Sequence, residues 1–110
     1  MKLVIALIRP EQLPDVKRSL FAAQIRHLTA TMTLGTAPKS EQQKFRGVER
    51  EVSLFQRVRV EVAVTDAMVE PAVGAIRQGA LDSGGWGRIF VVQLADAVTI
   101  WTGQRGPETL

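Results

Sequence analysis

The chain has no cysteine, no tyrosine and a single histidine among its 110 residues, and its aromatic rings amount to four Phe and two Trp. Without cysteine there can be no disulfide, thiolate metal ligand or thiol nucleophile. His27 has no carboxylate at ligand spacing, so it reads as a surface or packing residue and no metal site is expected. Too few rings are present for a sheet that stacks single-stranded bases. The net charge of +3 and pI near 10.0 favour anions in general, but the basic residues are scattered rather than gathered into a block, and nucleic acid is not an expected partner. No apolar run approaches the roughly 20 residues that cross a bilayer. The opening Met1–Arg9 stretch lacks a small-residue cleavage site before Pro10 and reads as the first strand of a cytoplasmic protein. Also missing are the G-x-x-x-x-G-K-[ST] and strand–G-x-G-x-x-G–helix patterns. Ser40, Ser53 and Ser83 lack a nucleophile elbow, no carboxylate pair is placed for acid–base work, and no enzyme is expected.

What remains is an ordinary globular balance, 45% hydrophobic and 23% charged, in the length of one domain. Lys2–Arg9 is almost continuously apolar, as in a central strand. Leu13, Val16, Leu20 and Ala23 recur at helical spacing and predict a helix over 11–24, with Pro14 in its first turn. Thr29–Gly35 alternates, as does Phe55–Thr65, where Val58, Val60, Val62 and Val64 oppose Arg57, Arg59, Glu61 and Ala63. Val69, Val73, Ile76 and Ala80 predict a second helix over 68–81. Arg88–Leu94 is a fourth strand and Thr99–Thr102 a short further one, followed by a loose polar tail over 104–110. The order strand, helix, strand, strand, helix, strand predicts an α+β, ferredoxin-like βαββαβ fold: an antiparallel sheet with two helices on one face, in one domain over 1–110. Such a sheet leaves its other face bare, which makes oligomerisation through that face or its edges the expected outcome.

Two stretches stand out against this frame. Thr36–Leu54 is long, polar and without periodicity, and a loop of that length in a small domain is usually functional. Asp82–Arg88 places three glycines and an arginine before the fourth strand. Backbone N–H groups in such a turn can cradle an anion beside the guanidinium of Arg88. The plainer reading is that Gly84 and Gly85 end a helix and Gly87 makes room for Trp86.

Met1-Lys2-Leu3-Val4 with Ile8-Arg9-Pro10, the Leu13…Asp15-Val16…Leu20 helix, Leu28-Thr29, Phe45-Arg46-Gly47-Val48-Glu49, Arg57–Val62, Gly87-Arg88-Ile89-Phe90-Val91 and Thr102-Gly103 together resemble the PII signal-transduction proteins. The likeness runs along nearly the whole chain in the right order. It implies a homotrimer whose 36–54 loop reaches a target, a transporter or metabolic enzyme, in nitrogen regulation. It also implies clefts between subunits that bind an adenine nucleotide, ATP, ADP or AMP. On matching positions the nucleotide or anion contacts fall to Thr29, Gly35, Lys39, Arg57, Glu61, Gly85, Gly87 and Arg88, and target contacts to Lys44, Phe45, Arg46, Glu49 and Arg50.

The departures narrow what the resemblance implies. Arg50 stands where the family usually has the modified tyrosine and Phe45 replaces another, so tyrosine nucleotidylylation is chemically impossible. Around Ala37-Pro38-Lys39 the Gly-Arg-Gln segment tied to 2-oxoglutarate is replaced, and ordinary 2-oxoglutarate sensing is not expected. Thr99 and Trp101 replace two arginines, and Trp86 an acidic residue of the turn. Each lost charged hydrogen bond to phosphate is worth roughly 1.5–3 kcal/mol. The expected function is therefore an atypical regulator sensing a small anionic metabolite. The alternative is a ligand-independent trimeric module in which Trp101 fills the cleft where phosphate would lie.

Overall fold

Val58, Val60, Val62 and Val64 occupy every second position of one strand, and a pleated chain sends such a set to one side. The computed structural model, which describes residues 1–37 and 53–110, places that strand inside an antiparallel four-stranded sheet. The strands are β1 (Lys2–Ile8), β2 (Thr29–Thr36), β3 (Leu54–Val64) and β4 (Arg88–Gln93), in spatial order β2-β3-β1-β4. The helices are α1 (Leu13–Ala22) and α2 (Val69–Asp82). Their buried residues Val16, Leu20, Ala72 and Ile76 meet Val4, Ala6, Ile8 and the four β3 valines in a single core. This is the ferredoxin-like arrangement expected.

Local chemistry sets the helix ends. Pro10 opens a 3-10 turn (Pro10–Gln12) and Pro14 lies in the first turn of α1, where neither missing N–H costs a helical bond. The helix predicted over 11–24 is therefore shorter. It closes with the Ile25 N–H on Leu20 O at 2.9 Å, which puts Gln24 at φ 66, a conformation glycine usually supplies. In α2 the stripe is rotated from the predicted one: Ala72, Ile76 and Gly79 are buried, while Val69, Val73 and Ala80 pack at its margin. The cause is the contact with α1, where a Cβ at Gly79 would stand 2.6 Å from Val16 Cα.

The far face of the sheet carries no helix. Register sets Ile5 beside Glu61 and Phe90, Leu7 beside Arg59 and Arg88, and Leu3 beside Ala63 and Val92. Thr29 and Thr31 continue the Glu61 and Arg59 rows onto β2, Thr33 stands beside Arg57, and Arg59 pairs with Glu61 at 2.7 Å. Phe90 is 43% exposed and Val92 45%, so the face is apolar at its β1–β4 side and polar toward β2.

Near its end the chain corrects one expectation. Residues 99–102 form the turn of a small hairpin instead of a strand, bridged by Val98 and Arg105, with the Gly103 N–H on Thr99 O at 2.8 Å. Four residues with no partner strand in reach lose to the turn chemistry of Gly103, at φ 72, and of Thr102, whose Oγ1 accepts from the Gln104 N–H. The 104–110 segment has local order: Arg105 pairs with Asp96 at 3.0 Å, and a 3-10 turn spans Pro107–Thr109.

Asp66, just before α2, accepts on one oxygen from the Met1 α-amino group at 2.8 Å and from Lys2 Nζ at 2.9 Å. Those two hydrogen bonds and the accompanying charges hold its carboxyl down at about 2. A depressed carboxyl contributes stability above its unfolded value of 3.8 and loses it as pH falls through about 2. Thermal melts of the parent and Asp66→Asn should therefore differ at pH 6 and converge between pH 4 and 2.

Candidate functional site

The glycine turn follows the plainer of the two readings in part. Gly84, at φ 108, and Gly85, at φ 72, end α2, with the Gly85 N–H on Ala80 O at 2.7 Å. Gly87 makes room, but for β1 and not for Trp86: at φ 130, a Cβ there would lie 2.6 Å from Leu7 O and 3.2 Å from Ile8 Cγ2. The turn is thus pressed against the end of β1, and Arg88 emerges from it as the first residue of β4, opposite Leu7.

Facing the turn across the sheet is the base of the β2–β3 ribbon. Between them opens a cleft of about 700 Å³ lined by Leu7, Gly35, Thr36, Ala37, Arg57, Gly85, Trp86, Gly87, Arg88 and Phe90. Five predicted site residues, Gly35, Arg57, Gly85, Gly87 and Arg88, are therefore brought together. Arg88 is exposed and its side chain makes no hydrogen bond or ion pair among the described residues, so its guanidinium is available to a ligand. Arg57 is only 7% exposed: its stem runs over the bare Cα of Gly35, where a Cβ would meet Arg57 Cγ at 3.3 Å.

Two predicted residues lie elsewhere. Thr29 and Glu61 face each other in the ladder, six residues from Gly35, or about 20 Å along the strand. Lys39 and the target-contact residues Lys44, Phe45, Arg46, Glu49 and Arg50 fall outside the described residues. Trp101, expected to fill a cleft, is 87% exposed at the hairpin turn and takes no part in lining its own chain's cleft. His27 is an exposed surface residue: its Nε2–H donates to Ala63 O at 2.9 Å, beyond the point where β2 stops pairing with β3.

Four residues beside the cleft, Trp86, Arg9, Phe55 and Gln12, were not among the predicted site residues. The Trp86 ring has the guanidinium carbon of Arg57 4.4 Å from its centroid and that of Arg9 at 5.2 Å, and Phe55 has Arg57 at 5.4 Å. Gln12, wholly buried, accepts the Arg9 N–H on Oε1 at 2.8 Å and donates Nε2–H to Trp86 O at 2.9 Å and Ala80 O at 3.3 Å. The one signal for Gln12 in the sequence is its place three residues after Arg9, the spacing at which a Gln side chain reaches back to a helix-capping N–H.

The arrangement has positive charge, a positive-φ glycine turn and apolar walls, which suits binding rather than bond-making. Among the described residues no three His, Asp or Glu side chains gather as metal ligands, and no helix is long and apolar enough to cross a membrane.

Comparison with known proteins agrees with this geometry. The family model described as Nitrogen regulatory protein P-II matches residues 1–104. The nitrogen regulatory protein GlnK1 of Methanosarcina mazei is 39% identical over 114 positions, covering all of this chain and 97% of its own length. The nitrogen regulatory proteins P-II of Rhizobium etli and Rhodospirillum rubrum are 38% and 35% identical over 112 positions, each along its full length and that of this chain. With a matching model over nearly its whole length, relatives that align end to end and the fold such a chain should have, the protein belongs to the P-II family of nitrogen regulatory, signal-transducing proteins.

Proposed function

We propose that the chain is a trimeric cytoplasmic regulator that senses a small anionic metabolite, an adenine nucleotide, in clefts between subunits and signals to a transporter or metabolic enzyme through its 36–54 loop. The observation that carries this reading is the cleft itself: Arg88 and a positive-φ glycine turn face the base of the β2–β3 ribbon across a hollow large enough for a nucleotide. The bare apolar face made by Leu3, Ile5, Leu7, Phe90 and Val92 supplies a surface for the trimer. Thr29 and Glu61, remote from the cleft of their own chain, reach a ligand only from a neighbouring protomer, which is what a cleft between subunits requires.

Isothermal titration with ATP, ADP, AMP and bicarbonate tests the sensing part. At least one should bind, and Arg88→Ala should weaken it by about tenfold or more, the worth of one charged hydrogen bond to phosphate. No heat with any of the four ends the nucleotide reading. The second reading, a ligand-independent trimeric module, draws on Thr99 and Trp101 standing where phosphate donors were expected. It predicts the mass of three chains and target capture that ATP does not alter.

A further inference from the structure

One side chain from the 3-10 turn ahead of α1 holds the glycine turn at both ends. Gly84, Gly85 and Gly87 stand at φ 108, 72 and 130. A stretch so rich in glycine has many conformations open to it, and keeping one of them carries a large entropy cost. The Gly85 N–H on Ala80 O secures its start. Farther along, Trp86 O has Gln12 as its one hydrogen-bond partner among the described residues. The two Nε2 hydrogens of Gln12 go to Trp86 O at 2.9 Å and to Ala80 O at 3.3 Å, so a single amide spans the turn. Its Oε1 accepts from the Arg9 N–H at 2.8 Å, which anchors that amide to the chain just after β1. Gln12 is wholly buried, and a leucine would fill similar space with no polar group to desolvate, so packing alone does not ask for an amide. What the amide adds is the position of the turn. With it comes the point at which Arg88, two residues after Trp86, meets the cleft.

We propose that Gln12 is a positioning residue for anion binding: its amide keeps the glycine turn in one conformation, so that Arg88 and the turn backbone stand ready at the cleft before a ligand arrives. An anion that binds only this conformation has its affinity reduced by the fraction of molecules already in it. With the amide in place the ordering is completed in folding and not at the moment of binding, and affinity rises without any contact between Gln12 and the ligand. The proposal rests on the anion-sensing reading of the cleft.

The test compares the full parent chain with Gln12→Met and Gln12→Glu, by NMR relaxation of the backbone amides and by calorimetric titration of ATP and inorganic triphosphate. In the free parent, Gly85 and Gly87 should be as rigid as the helices, with order parameters of about 0.85. In Gln12→Met, which keeps the length of the side chain but offers no amide, they should fall below about 0.6. Affinity for both probes should weaken in that variant by about fivefold or more, the worth of the lost hydrogen bonds. Gln12→Glu supplies a rescue that packing cannot imitate. Relative to the parent at the same pH, its affinity should be nearly normal at about pH 5, where the buried carboxyl keeps its proton and donates. It should fall as pH rises toward about 8, with the turn loosening over the same range. This series also carries the comparison if Gln12→Met does not fold. A parent whose turn is already loose, a Met variant that stays rigid or binds like the parent, or a Glu variant whose deficit ignores pH overturns the role of Gln12 alone. A parent that binds neither probe overturns the anion-sensing reading, and the proposal with it.

Discussion

Replacing Gly79 by alanine should cost about 2–3 kcal/mol of stability, whereas the same change at Gly74, five positions earlier on the same helix, should add roughly 0.5–1 kcal/mol. Alanine is the better helix former at both sites, so propensity predicts a gain twice. Surroundings decide otherwise at Gly79, where the new Cβ would lie 2.6 Å from Val16 Cα and 2.7 Å from Asp15 O. Those are backbone atoms of α1 and no rotamer change moves them aside. α2 must lift off α1, and with it the start of the glycine turn that is bonded to Ala80 O. At Gly74 nothing lies within 4 Å of the added carbon. Chemical denaturation of the two variants beside the parent gives opposite shifts in midpoint at unchanged slope. Equal shifts would mean that the helices do not touch as described.

Gln12→Leu should be about as damaging, near 3 kcal/mol, although it keeps the side chain close in volume and makes it more apolar. The buried amide holds the Arg9 N–H and the Trp86 carbonyl, and leucine removes both partners at once. Each abandoned buried group costs about 1–3 kcal/mol. Gln12→Glu separates the two halves of the role. Its carboxylate still accepts from Arg9 N–H but faces two carbonyls with no proton to offer. Burial raises such a carboxyl above its unfolded value, so the folded variant keeps the protonated, donating form below the raised value, and its stability falls as pH rises from the unfolded value toward the raised one. The Glu variant should thus approach the parent in stability near pH 4 and fall away toward pH 7, whereas the Leu variant keeps a constant deficit. A Glu variant whose deficit does not change with pH would show that the amide donor is dispensable.

How far the molecule can be read in advance depends on the kind of contact. Strands announced themselves because period-two alternation of valines is a property of one segment, and β3 lies within one residue of its expected limits. Gly87 and Arg88 could be singled out locally as an unusual turn. That Gly87 yields to the carbonyl of Leu7 could not, since the two are 80 residues apart and their approach is decided by the pairing of β1 with β4. The same holds for Gln12 under Trp86 and Arg57 upon it. Resemblance to a family named Gly35, Arg57, Gly85, Gly87 and Arg88, because those positions match a shared pattern. It marked Trp86 only as a departure from the pattern and gave it no part in the site. Thr99–Thr102 misled for the opposite reason: four β-favouring residues are too few to outweigh a glycine and a hydroxyl that close a turn.

The ladder between β2 and β3 runs to its last pair, Thr36 with Leu54, before the chain leaves the sheet. Paired strand residues stand only about 5 Å apart, so the intervening segment departs and returns at almost the same spot. Closing a longer or shorter insert between such anchors changes free energy slowly, by roughly 0.6 kcal/mol for each doubling in length. The segment between these anchors can therefore change in length or sequence while the ladder that holds its two ends stays paired.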